Sequence, residues 1–108
     1  MSAHANEAAI DRMLEQIALA VERLEDEVLD VEVMPGKLVI ESGNGTRIIL
    51  SRQSATGQIW LAEPGGGWHF DERDGGLWIC DKRGVELIAA LETLLSEQLG
   101  RAVSLAAG

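Results

Sequence analysis

The stretch SRQSATGQIWLAEPGGGWHFDERDGGLWICD, residues 51–81, contains all three Trp, the only Phe and the only Cys of the chain. Short apolar runs alternate in it with Gly, Pro and Asp, which is typical of consecutive antiparallel strands. Successive strand residues point to opposite sheet faces, so Ile59 and Leu61 share one face and Trp60 lies on the other. If Ile59 and Leu61 face the core, Trp60 points outward and indicates a contact surface.

Further strands precede this stretch. Residues 28–33 alternate with period two, so that Leu29, Val31 and Val33 face one way and the acids face the other. Gly43-Asn44-Gly45 predicts a tight hairpin turn. The predicted strands cover residues 28–33, 38–41, 46–52, 58–62, 68–71 and 77–81.

Amphipathic helices are predicted at both ends, over residues 7–26 and 85–99, because apolar residues recur there at helical spacing. Asn6 is the predicted N-cap of the first helix, and Gly100 is the predicted stop of the second. Both helices need an apolar partner, and one face of the antiparallel sheet offers it.

The sequence therefore predicts an α+β fold, a two-layer α/β sandwich with both helices on one face of an antiparallel sheet of about six strands. Residues 1–108 are predicted to form a single domain with a flexible N-terminus (1–6) and a C-terminal tail (101–108). Val103 and Leu105 are expected to fold back on the core.

The net charge of −9 is unevenly distributed, since residues 1–32 hold nine acids and two bases. Such a field repels nucleic acid and anionic membranes, so neither is expected as a partner, and it attracts cations or a basic protein surface. No apolar run approaches the roughly 20 residues that span a bilayer. The first residues lack the pattern of a secretion signal, so we expect a cytoplasmic protein.

Six carboxylates lie within residues 22–32, and we call them the acidic ridge: Glu22, Glu25, Asp26, Glu27, Asp30 and Glu32. Carboxylate oxygens suit hard cations such as iron, manganese, calcium or magnesium. The sequence shows no nearby His or Cys to close a tight ligand shell, so binding is expected to be weak. The alternative is a solvated helix face, although such a face usually mixes both signs of charge.

A second candidate site is a docking patch around the outward Trp60, with Arg52, Gln53 and Gln58 nearby in the sequence. Trp is enriched at binding hot spots. The alternative is that Trp60 belongs to the core.

Other reactive side chains favour structural interpretations. His69 is expected to be structural or solvent-facing, and Cys80 to be a packing residue, since no base stands at a recognisable spacing. His4 lies in the predicted flexible terminus, where a contribution to a metal site stays open. Gly65-Gly66-Gly67 lacks the Lys and Ser/Thr of a phosphate-binding loop and predicts a flexible turn.

The chain resembles the frataxin family, and most closely its bacterial CyaY branch. The resemblance rests on an ordered set of segments at the spacing of the family: residues 44–50, 52–53, 58–62, 66–71 and 78–81. It implies the same helix–sheet–helix sandwich and contacts to iron through the acidic ridge. It also implies a basic surface of the cysteine desulfurase as partner of the ridge, and the iron–sulfur scaffold protein as partner of the Trp60 face.

Three classes of function are compatible with these features, and the resemblance implies the first. The first is an iron-binding regulator or iron donor in iron–sulfur cluster assembly, which binds Fe2+ or Fe3+ weakly at the surface. The second is a metal-independent acidic adaptor for a basic protein. The third, an enzyme, is disfavoured because exposed carboxylates lack the burial or pairing that tunes general acids and bases. A monomer is expected by default, and iron-dependent oligomers stay open.

Overall fold

The computed structural model describes residues 3–73 and 76–105, with side chains from Glu7 onward. In chain order, helix α1 (Ala3–Glu22) precedes the strands and helix α2 (Leu87–Leu99) follows them. The strands are β1 (Asp30–Met34), β2 (Lys37–Glu41), β3 (Arg47–Gln53), β4 (Gln58–Glu63), β5 (Gly66–Arg73), β6 (Leu77–Cys80) and β7 (Val85–Glu86). No helix in these ranges combines the length and apolar character needed to cross a bilayer.

The predicted two-layer α+β architecture is confirmed. Each strand pairs antiparallel with its neighbour in sequence, in the order β1 to β7, and both helices lie on one face. The core consists of the alternate strand residues on that face together with the apolar faces of the helices. It includes Ile10, Ile17, Leu38, Ile40, Ile48, Leu50, Ile59, Phe70, Trp78, Leu87, Leu91 and Leu95.

Across the described ranges the sheet has seven strands, one more than predicted. The additional strand arises because Val85 and Glu86 form β7 and not the start of the second helix. Glu86 has extended backbone angles (φ −93°, ψ 149°), and its carboxylate accepts hydrogen bonds from the N–H groups of Ile88 (2.8 Å) and Ala89 (3.1 Å). It is therefore the N-cap of α2. At the other end, Gly100 takes the left-handed conformation (φ 68°) of the predicted helix stop.

Helix α1 runs from Ala3 to Glu22, four residues earlier at both ends than predicted. Asn6 therefore lies inside the helix and is not its N-cap. The helix ends because its last turn tightens, with Leu24 N–H donating to Val21 O (3.1 Å), and because Glu25 adopts a left-handed φ of 50°. The later part of the predicted helix is consequently a loop.

The first strand begins two residues later than predicted, at Asp30. Its Val31 and Val33 pair with the buried Ile40 and Leu38, so they point to the helix side as predicted. Val33 nevertheless stays 52% exposed, because it lies at the open edge of the sheet. The tail returns to the core as expected, with Val103 and Leu105 buried and their N–H groups bonded to Ser96 Oγ and Glu92 Oε2.

We predict that Ile48→Ala and Ile49→Ala, two identical changes at adjacent positions of β3, differ strongly in cost. Ile48 is fully buried under the helices, whereas Ile49 is half-buried on the opposite face. Ile48→Ala should lower the free energy of unfolding by about 2–5 kcal/mol, and Ile49→Ala by clearly less. Urea denaturation measures both, and equal losses would contradict the assignment of the two faces.

Candidate functional site

The acidic ridge lies where the end of α1, the following loop and the start of β1 meet. Glu22, Glu25, Asp26 and Asp30 line a surface depression of about 310 Å³, together with apolar residues such as Leu29. The connection is built by the tightened end of α1 and the left-handed Glu25. The structure thus gathers four of the six predicted residues at one border of the molecule.

The remaining two ridge residues lie outside this depression. Glu27 is exposed in the loop before β1, and Glu32 is exposed on β1, on the sheet face away from the helices. Period two along β1 places Glu32 on the same face as Asp30. Glu27 and Glu32 extend the negative field of the ridge without lining its depression.

Asp26 differs from the other ridge residues because its carboxylate is already occupied. Its Oδ1 accepts a hydrogen bond from Val28 N–H (3.0 Å), and its Oδ2 accepts one from Arg101 Nη2 (2.9 Å). These two hydrogen bonds, first that of Val28 and then that of Arg101, lower the pKa of Asp26 below its usual 3.8. Asp26 therefore ties the loop and the tail together and has less capacity left for a cation.

A preformed chelating site is not part of this surface. Within residues 7–73 and 76–105, no three His, Cys, Asp or Glu side chains converge closely enough to hold a metal ion. A cation on the ridge would be bound by one or two carboxylates, and water would complete its shell. Such binding is weak and sensitive to salt.

The second candidate site, the face of the sheet opposite the helices, carries Trp60 at its centre. The indole of Trp60 stacks on the imidazole of His69 on β5, with ring centroids 4.2 Å apart and planes 8° from parallel. Trp60 Nε1 donates to Gln58 Oε1 (2.8 Å), and Gln58 Nε2 donates to Asp71 Oδ1 (3.0 Å). We call these four residues the Trp60 cluster.

The Trp60 cluster confirms the outward orientation of the indole and excludes a core position. Trp60 is half-buried only because it lies flat against its neighbours on the outer face. A stacked and hydrogen-bonded indole is held in one orientation, so little side-chain entropy remains to be lost on binding. The outer face of the sheet therefore presents an indole in a fixed orientation.

Of the other residues predicted for this patch, Gln53 shares the face of Trp60 and Arg52 does not. Gln53 pairs with Gln58 across β3 and β4. Arg52 points to the helix side, where its Nη1 donates to both carboxylate oxygens of Asp11 on α1 at 2.8 Å. Period two explains the separation, since neighbours along a strand face opposite ways. Arg52 therefore links α1 to the sheet.

His69 and Asp71 were not predicted to be part of this surface. The alternation of β5 already places them on the face opposite the buried Phe70. What the sequence lacks is the register that sets His69 directly beside Trp60. A cross-strand pair of this kind depends on the length of the turn around Pro64 and Gly65, which sequence periodicity does not fix.

The remaining sequence candidates stay structural. Cys80 is buried on the helix side, as expected for a packing residue. Gly66 and Gly67 belong to β5, and the turn is made by Pro64 and Gly65. The side chain of His4 lies outside the described residues, as do residues 1–2, 74–75 and 106–108.

Comparison with known proteins identifies the family. The model of the frataxin-like domain matches residues 1–101. The chain belongs to the frataxin family.

Solved frataxins share the fold described above. Frataxin from Psychromonas ingrahamii, studied as a member of the CyaY protein family, is 26% identical, with a TM-score of 0.89 over 98% of this chain and 99% of that chain. Yeast frataxin is 25% identical, with a TM-score of 0.65 over 91% of this chain and 80% of that chain. The frataxin family is known in iron–sulfur cluster assembly and for iron binding, and is a non-catalytic family of regulators and chaperones.

We predict that the hydrogen bonds of Asp26, first that from Val28 N–H and then that from Arg101, give the protein an acid-sensitive increment of stability. Because the pKa of Asp26 is lowered on folding, this increment is fully present above the ordinary pKa of 3.8 and disappears as the pH falls through the lowered value. Asp26→Asn should therefore lower the melting temperature at pH 6, and the difference from the wild type should shrink below about pH 4.

Glu97→Gln, at an exposed position of α2, is the control for loss of one carboxylate. Thermal unfolding at several pH values measures all three proteins. A difference between wild type and Asp26→Asn that stays constant down to pH 2 would contradict a role for the charged form.

Proposed function

We propose that this protein is an iron-binding regulator or iron donor of iron–sulfur cluster assembly. It binds iron weakly on the acidic ridge and docks on the complex of cysteine desulfurase and scaffold protein. The observation that carries the proposal is the concentration of exposed carboxylates along one border, next to a sheet face with an ordered indole. Membership of the frataxin family supports this combination of roles.

The chemistry of the ridge supports iron as the cation. The depression is lined by hard oxygen donors from Glu22, Glu25 and Asp30. Such donors suit Fe2+ or Fe3+ better than a soft metal ion. A shell completed by water releases the ion readily, as delivery to another protein requires. Glu27 and Glu32 raise the local concentration of cations through their charge.

The two surfaces suit two different partners. Among the ion pairs of the described residues, none involves Glu22 or Glu25. Their negative charge is therefore available to a basic surface of the desulfurase. The outer sheet face, with Trp60, Gln58 and Gln53, complements the scaffold protein. We assign Arg52 an indirect role, because its bond to Asp11 fixes α1, which carries Glu22.

The alternative is an acidic adaptor that binds the desulfurase without metal. The absence of three converging ligands within residues 7–73 and 76–105 favours it, since charge alone suffices for docking. In both cases we propose a cytosolic, non-catalytic protein that is a monomer by default. Formation of oligomers in the presence of iron is the alternative.

We predict that iron perturbs the amide NMR signals of residues 22–32 selectively at low ionic strength. Glu22→Gln/Glu25→Gln should lower the apparent affinity for iron about tenfold, because two of the carboxylates around the depression are lost. The matched control is Glu72→Gln/Glu97→Gln, which removes the same charge from exposed positions of β5 and α2.

Anaerobic titration with Fe2+, followed by 15N–1H correlation spectra, measures the three proteins. If the wild-type signals of the ridge stay unchanged while the desulfurase still binds, the adaptor is the correct description.

We predict that mutations in the two docking surfaces affect the binding of different partners. Glu22→Lys/Glu25→Lys should weaken binding of the desulfurase, because two attractive charges become repulsive. Trp60→Ala should weaken binding of the scaffold protein by about 2 kcal/mol or more, as expected of an aromatic side chain that becomes buried in an interface. It should leave the iron response of the ridge unchanged.

Pull-down with the desulfurase and scaffold proteins, together and separately, with and without iron, measures these effects. Melting temperatures of both variants serve as the folding control. Equal loss of both partners in both variants of unchanged stability would argue against two separate surfaces.

A further inference from the structure

Strand β1 forms an open edge of the sheet. It pairs with β2 on one side, and no strand of the described ranges 3–73 and 76–105 pairs with its other side. Alternate residues of an antiparallel strand turn their N–H and C=O groups away from the neighbouring strand. The outer side of β1 therefore presents a row of backbone donors and acceptors over about 17 Å.

Three common protections of an edge strand are missing from β1. Its sequence, DVEVM, contains no Lys and no Pro. Its register with β2 runs without a bulge from Asp30 opposite Glu41 to Met34 opposite Lys37. Lys, Pro and bulges are the common devices against strand addition, so β1 is guarded by negative charge alone.

The two faces of β1 differ in chemistry. Asp30 and Glu32 lie on the outer face, whereas Val31 and Val33 lie on the helix side. Val33 is 52% exposed although it points to the helix side. Uncovered apolar surface at this position indicates room for another side chain beside it.

The seam between β1 and α1 provides that room. One depression of about 310 Å³ lies beside Val31, and a second of about 290 Å³ lies beside Val33. Their walls on α1 include Glu22 and Glu15, respectively. Apolar side chains and carboxylates thus line the seam together. The apolar ones are Leu14 and Val33 in one depression and Val21, Leu29 and Val31 in the other.

We propose that the edge of β1 binds an extended segment of a partner protein in which Lys or Arg alternates with aliphatic residues. The segment adds to the sheet as a further strand. Its basic side chains lie beside Asp30 and Glu32, and its aliphatic side chains lie against Val31 and Val33 in the seam. Backbone hydrogen bonds supply affinity, and the alternation supplies specificity. This proposal deepens the docking role of the proposed function but does not require iron.

A second copy of this chain fits the edge poorly. If two β1 strands paired, Asp30 and Glu32 of both copies would lie on the same face, and like charges that face each other across strands destabilise pairing. The same carboxylates attract a basic segment. The charge of the edge therefore selects a basic partner over self-association.

The test uses synthetic eight-residue peptides with blocked ends and EDTA, which removes metal from the experiment. The first peptide alternates Lys and Val; the control has four Lys followed by four Val, so composition and charge are equal and alternation is lost. The alternating peptide should shift the amide signals of β1 and protect its outward amides from hydrogen exchange. The block peptide should bind about tenfold more weakly, because it cannot place Lys and Val on separate faces.

Two variants of this protein locate the binding site. Val33→Lys puts a positive charge into the seam and should weaken binding of the alternating peptide about tenfold. Leu77→Lys makes the same change of charge at a 50% exposed position of β6, away from β1, and should leave binding within about twofold.

Equal binding of both peptides, equal effects of both variants, or an absence of protection in β1 would overturn strand addition. If the peptide fails while the desulfurase still responds to Glu22→Lys/Glu25→Lys, this inference fails and the proposed function stands. If the peptide binds and iron and the desulfurase do not, the edge is a docking site for a different basic protein.

Discussion

Burial of one face of the sheet is the constraint on which the rest of the structure depends. In β2, β3 and β4, the aliphatic residues on the helix side are buried, and the residues between them stay at least partly exposed. The buried residues are Leu38, Ile40, Ile48, Leu50, Ile59 and Leu61. A shift of register by one residue would move each apolar set to the solvent side. The requirement to bury the apolar face therefore also determines which side chains lie on the opposite, exposed face of the sheet.

The two candidate surfaces are consequences of this constraint. Trp60 lies outward because its neighbours Ile59 and Leu61 are needed in the core. The acidic ridge forms at the border because α1 ends at Glu22 and the chain must turn there to enter β1. The candidate side chains thus occupy positions that the core leaves free. Two of them make structural contacts: Arg52 links the sheet to α1, and Asp26 links the loop after α1 to the tail.

The sequence was sufficient to predict the layer architecture, the outward Trp60 and the buried tail residues, because periodicity reports burial directly. It was less informative at element ends. The start of α2 depends on a carboxylate cap at Glu86, and the end of α1 depends on the left-handed Glu25, which a helical pattern of apolar residues through Leu24 does not reveal. The cluster around Trp60 depends on cross-strand register, and the bond of Asp26 to Arg101 joins residues 75 positions apart. Contacts of this kind lie beyond local sequence patterns.

The position of α2 and the tail has a consequence for biosynthesis. Leu87, Leu91, Leu95 and Leu105 fill the core beside strands that leave the ribosome earlier. The antiparallel strands can pair one after another as they emerge. Part of the apolar face of the sheet stays exposed to solvent, however, until residue 105 has been translated. During that interval the nascent chain presents the kind of surface that chaperones bind and that aggregates share. Completion of the fold therefore waits for translation of the segment through residue 105.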